Sequence, residues 1–110
     1  MEAKVVYGKD APLRELGGGV SRKVLAWQEE LMIVEVHFQQ GAVGAEHSHP
    51  HAQNTYVQSG AFRFTLGDRE AVVKAGDTLA IPGGLVHGTL CLEAGVLIDL
   101  FSPLREDFLK

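Results

Sequence analysis

Residues 41–60 read GAVGAEHSHPHAQNTYVQSG. His47, His49 and His51 crowd this segment, with Pro50 among them and a glycine at each end. A lone histidine on a strand is more often a surface or hydrogen-bonded residue than a ligand, but clustering changes that expectation. In extended backbone His47 and His49 point the same way, roughly 7 Å apart, so their imidazoles can meet at one ion. Gln53 has the same parity, yet a straight strand would carry it roughly 13 Å beyond His49. A bend at Pro50 is therefore expected to bring Gln53 back on the adjoining strand. His51 can line the pocket, orient a ligand or face solvent on the turn, and the last two are favoured.

Working outward, the chain alternates short apolar segments with Gly, Pro and Asp, the pattern of an all-β protein. Val20–Trp27 and Leu31–Gln39 read as strands around the turn Gln28-Glu29-Glu30. In the second, Met32, Val34, Val36 and Phe38 share the core side, and His37 falls opposite them at a surface position. Strands are also expected at Thr55–Val57, Ala61–Leu66, Glu70–Val73, Asp77–Ile81, Val86–Leu92 and Val96–Phe101. Many short strands at regular spacing indicate a sandwich or barrel. The tail differs, since Ser102 can cap a short C-terminal helix with Pro103 at its first position.

The bulk properties narrow the function classes. At 110 residues the chain fits a single domain, 1–110. A net charge of −4 and a pI near 5.7 oppose nucleic acid as a partner. No apolar run approaches a membrane span, and no export signal is visible at the start, so a cytoplasmic location is expected. Cys91 sits in the apolar stretch Thr89–Leu92 and reads as a packed thiol.

Two sets of spaced residues resemble the two motifs of the cupin family. Gly41, His47, His49, Gln53 and Gly60 follow the first, with Gln53 where the family usually has Glu. Gly76, Pro82, Gly84 and His87 follow the second. The resemblance implies a cupin double-stranded β-helix, a jelly-roll-like barrel with one divalent transition metal held by His47, His49, Gln53 and His87. Mixed nitrogen and oxygen donors suit Zn, Ni, Fe, Mn or Cu without choosing among them. Three imidazoles and a neutral amide leave the ion's charge unquenched, which favours an anionic ligand at its open positions. Cupins commonly dimerise through barrel edges, so a homodimer is expected.

Asp99 lies in an apolar strand, where a carboxylate needs a reason. Leu97, Asp99 and Phe101 share one side and Arg105 follows; a structural Asp99–Arg105 salt bridge and a functional role both fit these residues. The run from Asp99 to Phe108, together with residues 47–53 and Gly18–Lys23, resembles the small pectin-degradation cupins that linearise 4,5-unsaturated uronates. That resemblance implies Asp99 as the general base, Phe101 and Arg105 as substrate-binding residues, and a small anionic sugar as substrate. Two rivals fit a neutral-ligand cupin site: an oxygen-using metal enzyme such as a dioxygenase, and a non-catalytic sugar-binding module.

Overall fold

A computed structural model describes residues 2–110. Eight strands follow in chain order: β1 Arg14–Gly17, β2 Val20–Gln28, β3 Leu31–Phe38, β4 Val43–His47, β5 Ala52–Leu66, β6 Arg69–Lys74, β7 Thr78–Ile81 and β8 His87–Ser102. All pairings are antiparallel, along the path β1-β2-β3-β8-β5-β6, with β4 on β8 and β7 on β5. Strands β5 and β8 organise the barrel. The first part of β5 pairs with β7 and the end of β8, and its second part pairs with β6 and the start of β8.

These long strands replace four shorter ones expected from the sequence. Gly60, at φ 81°, and Gly95 lie against each other where the β5–β8 register shifts. A side chain at Gly60 would meet the Glu93 carbonyl at 2.5 Å. The glycines therefore bend the strands at a bulge instead of ending them.

Alternation along the strands supplies the core. Met32, Val34 and Phe38 of β3 are buried and Val36 partly so. Val36 touches both apolar clusters, one around Phe38, Val57, Phe62 and Leu97, the other around Met32, Val34 and Phe101. Burying side chains of this size stabilises by about 1.5–3 kcal/mol each, so the barrel has a core of its own. Among the described residues no helix is long and apolar enough to cross a membrane.

The expected C-terminal helix is corrected to a single 3-10 turn, Glu106–Leu109. Ser102 still pairs with Ala52 as the last residue of β8, so it cannot cap a helix. The Leu104 N–H then donates to the Glu29 carbonyl at 3.1 Å, pinning the chain to the β2–β3 turn. Phe108 closes on the Arg105 carbonyl, three residues back, which is 3-10 rather than α-helical bonding.

Candidate metal centre

The barrel brings three imidazoles together from two directions. His47 ends β4 and His87 begins β8, and the two are direct partners in the β4–β8 register. His49 follows in the connection that bends at Pro50 before β5 starts at Ala52, as the sequence suggests. One ligand atom from each of His47, His49 and His87 lies within 4.8 Å of the others. The ring centres are 5.5 Å apart for His47–His49, 4.6 Å for His47–His87 and 5.0 Å for His49–His87.

Backbone carbonyls fix how the rings present their nitrogens. The Nδ1 atoms of His47, His49 and His87 lie 2.8, 3.0 and 2.9 Å from the carbonyls of Ala45, His51 and Leu85. A carbonyl only accepts, so each Nδ1 carries the proton and each neutral ring keeps an Nε2 lone pair for the cluster. His87 Nε2 is buried without a partner, an orphan that a cation would satisfy. Burial pushes the His49 and His87 pKa values down and holds both rings in the neutral, ligating form. His51 acts through its carbonyl on His49, and its own ring is half-buried rather than facing solvent.

Gln53 completes the donor set. Its Nε2 donates to Thr55 Oγ1 at 3.0 Å and to Asp99 Oδ1 at 3.3 Å, which turns its Oε1 toward His49 Nε2 at 3.0 Å. Reversing the amide would set its oxygen against the Asp99 carboxylate. The His49 nitrogen and the Gln53 oxygen are both lone-pair donors when Nδ1 holds the proton, and two such atoms at this distance call for a shared cation. The residues thus fit a divalent metal by donor type, by orientation and by the orphaned nitrogen.

Asp99 stands behind Gln53. It faces Thr55 in the β5–β8 register and accepts the Thr55 hydroxyl at 2.6 Å. Both hydrogen bonds fall on Oδ1, and among the described residues Oδ2 receives none. Burial pushes the Asp99 pKa up to about 6, against the Thr55 and Gln53 bonds that pull it down. A cavity of about 260 Å³ is lined by His47, Gln53, His87, Asp99, Phe101 and Arg105. Asp99 and Arg105 form no salt bridge. Arg105 instead clasps Asp107, with Nε and Nη2 donating at 3.0 and 2.8 Å, and its guanidinium carbon lies 5.1 Å from the centre of the Phe101 ring.

The sequence profile of the cupin domain family matches residues 34–100. This chain is a cupin. Over 102 residues it is 43% identical to the pectin degradation protein KdgF of Dickeya dadantii (strain 3937), covering 91% of this chain and 93% of that protein. The structure of KdgF from Halomonas sp. superposes with a TM-score of 0.93 at 35% identity, covering 97% of this chain and 99% of that one. An RmlC-like cupin from Shewanella frigidimarina gives a TM-score of 0.92 at 38% identity, over 97% of this chain and 96% of that one.

The cupin barrel therefore unites His47, His49, Gln53 and His87, and sets Asp99, Phe101 and Arg105 around the same cavity. Sequence reading passed over Thr55, which holds both Gln53 and Asp99. Its signal was parity: Thr55 lies two residues beyond Gln53, on the same side of one strand.

Proposed function

We propose that this cupin is a metal-dependent enzyme that opens the ring of 4,5-unsaturated uronate monosaccharides released by polysaccharide lyases. The observation that carries the reading is Asp99, a carboxyl on the wall of the cavity of the histidine cluster, with one oxygen engaged and the other, among the described residues, free of hydrogen bonds. The name of the Dickeya relative, a pectin degradation protein, supports uronates as the substrate class.

His47, His49, Gln53 and His87 would hold a divalent ion, which would supply Lewis acidity to substrate oxygens that gain negative charge. Asp99 takes the proton of the C1 hydroxyl as the bond from C1 to the ring oxygen breaks. The electron pair passes to the ring oxygen, leaving an enolate across C4 and C5. Asp99 then returns the proton to C4, and the products are a C1 aldehyde and a C5 ketone. No atom is gained or lost, so the reaction is an isomerisation.

The surroundings suit this task. Thr55 and Gln53 fix the carboxylate by one oxygen, which leaves the other to reach the substrate. Phe101 and Arg105 form a wall for the sugar ring. The cavity lies just below the usual 300–1,000 Å³ of ligand pockets, a size suited to a monosaccharide rather than a chain.

The test is the ultraviolet absorbance of lyase-generated unsaturated uronate incubated with the metal-loaded protein. Loss of absorbance without oxygen uptake supports the reading. Oxygen uptake points to an oxidative cupin, and binding without turnover across a panel of unsaturated uronates points to a sugar-binding module.

A further inference from the structure

Val20, Arg22 and Val24 occupy alternate positions of β2, and the two valines pack on the two apolar clusters. The same parity carries Arg22 inward, to a half-buried position on the wall of the 260 Å³ cavity. An arginine at a core-facing register position is uncommon without a counter-charge. Here the two arginines of the cavity differ. Both lie against Phe108, with guanidinium carbons 3.8 Å (Arg22) and 4.2 Å (Arg105) from the ring centre. Arg105 has its fork closed on Asp107, whereas Arg22 makes no ion pair and no side-chain hydrogen bond among the described residues. Burial, and then the like charge of Arg14, pull the Arg22 pKa down against the opposing charge of Asp107.

We propose that Arg22 is the residue that reads ligand charge in this cavity, pairing its unengaged guanidinium with the carboxylate of a sugar acid. The proposal rests on reading the cavity as a uronate site. It divides the labour between the arginines: Asp107 clasps Arg105, which serves as a stacked wall, and Arg22 adds an open guanidinium fork to the charge of an ion at the histidine cluster. A guanidinium fork suits a carboxylate because two parallel N–H donors match its two oxygens.

The experiment titrates metal-loaded protein with D-galacturonate and with its neutral methyl ester, by calorimetry, in the wild type, Arg22→Ala and Arg22→Lys. Wild type should prefer the acid, and Arg22→Ala should weaken acid binding by about 10- to 100-fold while barely changing the ester. Arg22→Lys, which keeps the charge but not the fork, should fall between. The melting temperature of each variant is read on the same samples, because a purely structural Arg22 would lower it and weaken acid and ester alike. That equal loss overturns the proposal, as does an unchanged acid-to-ester ratio in Arg22→Ala or a wild type with no preference for the acid. The ultraviolet assay is run alongside. Arg22-dependent acid binding without linearisation would refute the proposed reaction and leave the role of Arg22 standing.

Discussion

Thr55 and Asp99 face each other across the β5–β8 pair, and the threonine hydroxyl donates to the carboxylate at 2.6 Å while accepting from Gln53 at 3.0 Å. One hydroxyl thus positions both the Asp99 carboxylate and the Gln53 amide. Thr55→Val keeps the shape but removes both bonds. It should lower kcat about tenfold or more with metal content retained, since a hydrogen bond to a charged group contributes about 1.5–3 kcal/mol. Thr55→Ser should restore the rate. Steady-state kinetics and elemental analysis on the same preparations check this, and a folded Thr55→Val at full kcat would contradict it.

Asp99→Asn tests the proton transfer itself. The amide oxygen can still accept from Thr55, so the cavity and its metal should persist while kcat drops by roughly 10²–10⁴-fold. Were Asp99 only structural, the melting temperature would fall and the rate of the folded fraction would stay near normal.

His87→Ala and His49→Ala should each abolish stoichiometric metal without unfolding the barrel, because the apolar clusters hold it independently. Elemental analysis and a thermal melt decide the matter. Full metal content in both variants would exclude the site.

Gly83→Ala probes how the two loops that carry the histidine cluster are locked together. The Gly84 N–H donates to the His49 carbonyl at 2.8 Å, and a Cβ on Gly83 would collide with the Pro50 carbonyl. Forcing these loops apart should cost about 1–3 kcal/mol and weaken metal binding. A melt and a metal titration measure the two effects, and no change in either would show that the loops yield freely.

Acid should loosen the Arg105 clasp. Hydrogen bonding to Arg105 holds the Asp107 carboxyl below its ordinary value, so the folded pKa lies under the unfolded one of about 3.9. The pair's contribution is therefore complete above about 3.9 and disappears as pH falls through the lower, folded value. Asp107 is 58% exposed, which limits that contribution to less than about 1 kcal/mol. A carboxyl-detected NMR titration should show Asp107 rising toward its ordinary pKa in Arg105→Gln; an ordinary value in the wild type would contradict the clasp.

The histidine cluster was legible because strand parity and turn chemistry act locally. His47 and His49 share a side, Pro50 bends the chain, and Pro82-Gly83-Gly84 leads into His87. Asp99 stood out as a charge in an apolar strand. What escaped depends on partners distant in sequence. Arg105 chose the nearer Asp107 because Asp99 is taken up by Thr55 and Gln53. Ser102 reads as a cap until its pairing with Ala52 is known. The bulge at Gly60 and Gly95 looks like two turns, since a glycine signals a bend without saying whether pairing resumes.

Strand β8 begins at His87 and carries Asp99 and Phe101 near its far end, over 16 residues. Its length between His87 and Asp99 therefore obeys an even-number rule. Losing or gaining one residue between 88 and 98 would turn every later side chain to the other side, sending Ile98 and Leu100 into the cavity and Asp99 and Phe101 out of it. Substitutions can accumulate along this stretch, whereas a single-codon deletion there would remove the proposed base and a wall of the cavity in one event.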